Sequence, residues 1–371
     1  MPNKIAFIFP YAPSYREAIY RKIDEELDVD WFFCGNCRPN LKLLDYSILK
    51  SCNLTMQQKL IIGSVVYYKK IKQLDLQSYD IIICAGVIRC LSEWRLLQKI
   101  GRELKNKKVY IWTHGWYGKE SRLQKIIKKF FFRRVDGFLL YGDYAKEQML
   151  KEGFDSSRLH VIKNSLDYDM QLELRNHLKS SAIYKEYFAN NNPTIIFIGR
   201  LTPVKRLDLI IEAIHLLKQK EHMYNLVLVG DGSEYEPLKA KVMELEIEGQ
   251  VWFYGSCFDE GINAELIYNA DICVAPGNIG LTAMHALMFG CPAISHNDFK
   301  WQMPEFESIK PGITGDFFEY GNADDLARVV SKWVASTQGR REDVRQACYK
   351  EIDEYWNPHY QLRVLKKVLE I

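Results

Sequence analysis

The chain has 371 residues, 47% apolar and 26% charged, too long for one ordinary hydrophobic core and too apolar for a disordered polypeptide, so two domains are expected. Its formal net charge of +3 is too small to suggest nucleic acid as a partner, and any attraction to anionic surfaces has to come from local clusters. No apolar stretch approaches the roughly 20 residues of a bilayer-crossing helix, and the start has only the short run Ile5–Phe9 before Pro10, so neither a spanning segment nor a secretory leader is expected.

The first half alternates short apolar runs with longer amphipathic segments. Residues 5–9, 28–34, 79–85, 108–113 and 137–140 read as strands of a mainly parallel sheet with crossover helices. The first strand is followed by PYAPSYREAIY, without a glycine-rich loop, and no P-loop or G-x-G-x-x-G occurs elsewhere, which argues against a kinase or a dehydrogenase. Tyr15 and Arg16 open the helix that follows. Arg16 is either a grip for an anionic acceptor, such as a lipid diphosphate, or an exposed first-turn residue. The nine cysteines are scattered; Cys84 and Cys273 sit in apolar runs and read as buried reduced thiols. Cys34 and Cys37 form a C-x-x-C with no second pair, which reads as chance rather than a redox or zinc motif.

Further along, VYIWTHGWYGKE ends a strand at His114, in a strand-end loop where open α/β sheets carry their function; a satisfied structural histidine is the other reading. Residues 119–134, KESRLQKIIKKFFFRR, mix Lys and Arg with Ile and Phe. That pattern suits an amphipathic helix lying on an anionic membrane surface, the alternative being a helix that packs its aromatics inward behind a solvated basic face. Val65–Gln73 adds more of the same character. From 168 to 193 no strand signal appears, and ANNNP makes this the expected linker.

After it, TIIFIGR, YNLVLVGDG, VWFYG, DICVAPG and CPAISHN are again strand-like runs separated by helical stretches. A second doubly wound lobe, 194–345, is expected after a first of 1–167, and ligands of such sheets bind outside the carboxyl ends of their strands. The tail, 346–371, is helical on both sides of Pro358, which should break it, and is expected to cross back to the first lobe. Three strand-end loops in the second lobe carry chemistry. Gly199 and Arg200, with Lys205 shortly after, offer two cations for a diphosphate; a solvated basic loop reads equally well. Gly230-Asp231-Gly232 permits a tight turn and a close ligand approach. Asn278 to Gly280 form a turn before a helix from Leu281, so that the N–H groups of Ile279, Gly280, Leu281 and Thr282 make an anion site.

In this order and spacing these pieces resemble family 4 glycosyltransferases of the GT-B fold, retaining enzymes built from two Rossmann-like lobes facing a cleft. The resemblance implies that Arg200 and Lys205 hold the donor diphosphate, and AMHALMFGCP fits the end of the family's glutamate-bearing helix. The two glutamates do not fit: they fall on Gly277 and His285. An imidazole can take over the ribose hydrogen bond expected of the second, while Gly277 offers only backbone. Glu305, in a segment similar to the family's P-E-x run, and Asn297 are candidates for the missing acid, and a structural role for Glu305 stands beside that reading. The stretch 277–307 also looks like a bacterial surface-polysaccharide subgroup with the same replacement. His114 corresponds to a family histidine that touches the donor sugar. Asp167-Tyr168-Asp169 mimics a metal-binding D-x-D but belongs to the segment that ends the first lobe, so no metal is expected.

These implications give a retaining, metal-independent glycosyltransferase using a UDP-sugar first, a GDP-sugar second, with a capsule, O-antigen or lipid-linked glycan as acceptor. The nucleotide-sugar is a co-substrate, and no other cofactor is implied. The expected place is the cytoplasm, at the inner face of the membrane if residues 119–134 bind it. The alternatives are a non-catalytic nucleotide-sugar or glycan-binding partner in an assembly complex and, less well matched, a nucleotide-sugar epimerase.

Overall fold

The computed structural model describes residues 3–34 and 41–371, so Cys37 of the C-x-x-C lies outside the described residues. The chain divides into two compact units, residues 1–167 with 357–371, and residues 168–356. Each is a parallel α/β unit.

The first unit holds β1 (Ile5–Ile8), β2 (Val29–Phe32), β3 (Cys52–Asn53), a hairpin of β4 (Gln57–Ile62) and β5 (Val65–Lys69), then β6 (Ile81–Cys84), β7 (Lys108–Thr113), β8 (Gly137–Leu140) and β9 (Leu159–Val161). Apart from the hairpin, these form one sheet in the order β3-β2-β1-β6-β7-β8-β9, parallel at every pairing. Its central strands are buried along their whole length, which is why they read as continuous apolar runs rather than alternating ones. The second unit holds β10 (Thr194–Ile198), β11 (Asn225–Val229), β12 (Val251–Gly255), β13 (Ile272–Ala275), β14 (Ala293–His296) and β15 (Gly315–Phe318) in the order β12-β11-β10-β13-β14-β15, again all parallel. In this sheet the strand order reverses direction between β10 and β13, so the loops that leave their carboxyl ends diverge and open a crevice for a ligand.

Two boundaries differ from the sequence reading. Residues 168–193 are not a linker but two helices of the second unit, Tyr168–His177 and Ile183–Phe188. The first has little apolar periodicity because polar bonds hold it: Arg175 makes a two-pronged pair with Asp353 at 2.9 and 3.0 Å, and Gln171 Nε2 donates to Glu260 Oε1 at 2.7 Å. The second anchors through buried Tyr184. The change of unit near the C-terminus also comes later than residue 346. The helix Arg341–Tyr355 stays with the second unit, where Arg345 lies over the Tyr268 ring at 3.8 Å. Asn357 then caps the last helix, Pro358–Leu369, by accepting the N–H of Tyr360, and Pro358 occupies the first helical position that its missing N–H favours.

That last helix completes the first unit. Leu362, Leu365 and Leu369 enter the same apolar cluster as Ile5, Phe7 and Trp31. Buried Gln361 accepts from Ser165 Oγ at 2.5 Å and donates to the carbonyl of Lys163 at 2.9 Å. The hairpin was not legible as strands, because its apolar residues do not alternate: Leu60, Ile61 and Ile62 run consecutively at the tip and only Tyr68 is fully buried; the two- to four-residue edge strands β3, β9 and β15 are too short to show a period. Replacing fully buried Leu365 by Ala is expected to destabilise the first unit by about 2–5 kcal/mol; urea unfolding followed by tryptophan fluorescence reads this, and a change below about 1 kcal/mol contradicts the packing described.

Candidate functional site

In the second unit, the loops after β10, β11 and β13 pack against one another through backbone. Gly199 N–H donates to the Val229 carbonyl at 2.9 Å and Leu201 N–H to the Asp231 carbonyl at 2.9 Å. A Cβ on Gly230 would sit 1.9 Å from the Gly199 carbonyl oxygen, and one on Gly232 2.2 Å from that of Leu201. These glycines therefore allow the loops to pack backbone on backbone. Asp231 is exposed, and its side chain accepts the N–H of Gly232 at 2.7 Å.

Between β10 and β13 the packing is tighter still. Gly277 N–H donates to the Lys205 carbonyl at 2.9 Å, and a Cβ at 277 would lie 2.0 Å from the Val204 carbonyl oxygen. Position 277 thus excludes every side chain while the 203–205 turn holds its place. Lys205 Nζ reaches back to donate to the Asn278 carbonyl at 2.7 Å and to Asn278 Oδ1 at 3.0 Å. Burial pulls the Lys205 ammonium down to about 8, opposed by Glu305 and reinforced by Arg200. A half-buried cation held below its usual range is primed to gain from an incoming anion. Arg200 stands exposed at the end of the same strand loop, and Glu305 is buried beside Lys205.

The helix Leu281–Met288 starts at Gly280, whose φ of 55° suits glycine and whose position has no side-chain cap. Four N–H groups were expected to be open here. Ile279 N–H is taken: it donates to Gln302 Oε1 at 3.0 Å, and Gln302 in turn donates to Ser295 Oγ and to the His296 carbonyl. The N–H groups of Gly280, Leu281 and Thr282 have no protein acceptor among the described residues and make an anion-binding helix start. The Thr282 hydroxyl is used structurally, donating to the Ile198 carbonyl at 3.1 Å. The Asn297 side chain accepts the N–H of Tyr320 at 3.3 Å.

His285 is not a lone imidazole. Its Nε2 lies 2.8 Å from Glu260 Oε1, the oxygen that also receives Gln171. Burial works to raise the Glu260 pKa, yet the bond and charge of His285, with Gln171 and Asn263, hold it below the usual carboxylate range. Neither Gln302 nor Glu260 was signalled by the sequence, where each is a single polar residue in a stretch with no motif.

In the first unit, His114 follows β7 with its ring against Tyr141 at 4.7 Å and Tyr117 at 6.0 Å. Its Nδ1 is buried with no hydrogen-bond partner among the described residues. Burial first, then the charge of Arg16, pushes its pKa down to about 4, so the ring is neutral near pH 7. Arg16 itself corrects the expectation of an acceptor grip or an exposed first-turn residue. It is 8% exposed, packed over the rings of Tyr20, Trp112 and Tyr141 at 5.0, 4.4 and 5.5 Å, and it donates to the Tyr141 hydroxyl at 2.9 Å. Tyr15, by contrast, is 42% exposed.

Residues 181–351 match the family described as glycosyl transferases group 1. Lipopolysaccharide 1,6-galactosyltransferase of Escherichia coli K12 is 24% identical over 349 residues, 91% of this chain and 88% of the relative. The Salmonella typhimurium LT2 protein of the same description is 24% identical over 273 residues, 72% of this chain and 69% of the relative. Among solved structures, the lipopolysaccharide outer core galactosyltransferase WaaB in its apo form matches 99% of both chains with a TM-score of 0.70 at 19% identity. Anabaena HepE in complex with UDP matches 99% of this chain and 100% of its own, with a TM-score of 0.70 at 13% identity. Two parallel-sheet units, the group 1 match over residues 181–351 and these fold neighbours agree with the strand-end loops already described: the chain has the GT-B fold and is similar to family 4-like glycosyltransferases.

Proposed function

We propose that this chain moves a hexose, with galactose the first candidate, from a UDP-sugar to a lipopolysaccharide-type glycan acceptor, retaining configuration and using no metal. The observation that carries the reading is the loop cluster at the β10/β13 divergence, where Arg200, the half-buried Lys205 ammonium and the open N–H groups of Gly280, Leu281 and Thr282 come together. The relatives named for lipopolysaccharide galactosyl transfer and the neighbour holding UDP support the choice of sugar, acceptor class and base.

As the glycosidic bond lengthens, negative charge grows on the departing diphosphate, and preorganised cations and N–H donors stabilise that charge more than they stabilise the bound donor. Gly277 has no side chain to offer as a nucleophile. Glu305 is buried beside Lys205, where it sustains the ammonium's charge. The reading is therefore departure and attack on one face through a short-lived oxocarbenium-like pair, without a covalent sugar–enzyme intermediate. His114, neutral near pH 7, serves a sugar hydroxyl as an uncharged hydrogen-bonding ring. Tyr15 and the acceptor lie on the side of the first unit, and Arg16 acts there by holding Tyr141 and depressing the His114 pKa.

Arg200→Ala is expected to lower transfer more than about a hundredfold, the loss typical of one preorganised donor, with an unchanged melting curve; near-normal transfer sinks the reading. UDP binding without transfer to any acceptor, in the wild type, points instead to a nucleotide-sugar-binding partner. The pH dependence of UDP affinity provides a second check. Lys205 is charged below about 8 and a bound diphosphate raises its pKa, so affinity is flat from pH 6.5 to 7.5 and falls above pH 8 by up to about tenfold per unit. Lys205→Met should bind more weakly and lose that fall; a wild-type curve flat to pH 10 rules out the assignment. Gly277→Glu should not restore an acid. It is expected to cost at least about 1–3 kcal/mol of stability and to weaken UDP binding by displacing the 203–205 turn, and a stable, more active variant contradicts the geometry.

A further inference from the structure

The helix Arg122–Phe132 carries apolar residues on both of its sides. Phe131 and Phe132 are buried with Phe138 in the core of the first unit. On the other side Leu123, Ile126, Ile127 and Phe130, at spacings of three, four and seven, are 67%, 66%, 39% and 52% exposed. A helix that only packed inward would turn a polar face to water. The β4–β5 hairpin repeats the anomaly: Leu60, Ile61 and Ile62 at its tip are 62%, 50% and 74% exposed.

The two elements belong to one surface, because the helix Leu91–Glu103 stands between them and touches both. Val66 of β5 donates to the Arg89 carbonyl at 2.9 Å just before that helix, and Arg95 lies over the Tyr67 ring at 5.8 Å. Trp94, on the same helix, packs against Phe130 at 5.9 Å and Phe131 at 4.8 Å, with Arg134 over both Trp94 and Phe130. The charge on this surface has one sign. Residues 57–70, 87–95 and 119–134 contain twelve Lys and Arg and two acids. Of the acids, Glu93 is buried and Glu120 is bonded to Lys128 at 2.6 Å. Glu152, from a neighbouring helix, offsets only Lys125 and Lys129.

We infer that this surface docks the protein on an anionic lipid bilayer, with the hairpin tip and the Leu123–Phe130 face entering the headgroup boundary and the surrounding cations meeting lipid phosphates. No helix among the described residues is long and apolar enough to cross a membrane, so the contact is interfacial. A second copy of the chain is the poorer occupant, since a self-complementary contact would set this basic surface against itself. Aliphatic residues exposed at a loop tip gain nothing from nucleic acid, whereas each one inserted among acyl chains removes apolar area from water. The inference rests on the first unit alone and not on the donor site.

The test is co-sedimentation of the full chain with vesicles of phosphatidylcholine mixed with phosphatidylglycerol, compared with pure phosphatidylcholine. Wild type should pellet with the mixed vesicles, far less with the neutral ones, and less again as salt rises. The exposed double variant Ile62→Ser/Phe130→Ser, and separately the triple variant Lys59→Glu/Lys69→Glu/Lys70→Glu, should each lower the partition coefficient at least about tenfold while leaving the melting curve and UDP binding unchanged. Equal binding to both vesicle types, or no binding to either, overturns the inference. So does a concentration-dependent dimer, seen in sedimentation velocity, that the Ile62→Ser/Phe130→Ser variant abolishes.

Discussion

The second unit depends on the clasp between the loops after β10 and β13. Gly277 N–H on the Lys205 carbonyl and Lys205 Nζ on Asn278 tie the two loops at the point where the strands diverge, and the space left at 277 is smaller than a methyl group. Two consequences follow from this one contact. The lysine is held at the mouth of the crevice with its ammonium partly desolvated, which makes an arriving anion worth more than it would be to a solvated lysine. The same contact also removes any acid from position 277, because the turn that positions the cation occupies the volume a side chain would need. The cation and the missing carboxylate are thus one structural choice.

Burial sets the charge state on the first unit's side as well. Arg16 is a permanent cation enclosed by three aromatic rings, and an adjacent imidazole cannot easily take a second positive charge in such surroundings. A histidine at a strand end has an ordinary pKa close to neutrality; here it is fixed in one form well above its own titration. The aromatic box around Arg16 is therefore a positioning device for His114 and Tyr141 and leaves no exposed guanidinium to bind an acceptor.

Much of the architecture was legible because central parallel strands are apolar throughout and the residues of the strand-end loops keep a fixed spacing. The runs at 108–113 and 137–140 became β7 and β8 residue for residue. What stayed hidden was whatever depends on residues far apart in the chain. Gln302 captures the Ile279 N–H from 23 positions downstream, and nothing in FKWQMPE announces it. Arg16 is covered by Trp112 and Tyr141, so its local sequence suggests an exposed residue while the fold buries it. The helix at 168–177 is held by pairs to Asp353 and Glu260 rather than by an apolar stripe, and periodicity has no means of finding it.

His285 illustrates the same point from the side of chemistry. By alignment it stands where the resembling family carries a glutamate, and alone it reads as a substitution that loses a negative charge. In the fold, the negative charge is still beside this helix, supplied by Glu260 from the start of the neighbouring helix Glu260–Asn269 and fixed by Gln171. A glutamate at 285 would bring a second carboxylate to hydrogen-bond distance of the first, and one of the two would have to bind a proton or turn away. The imidazole, with Gln171 and Asn263, helps Glu260 remain ionised in a half-buried position, so His285 and Glu260 have to be read as a pair, and a comparison of position 285 alone misjudges what this helix has lost.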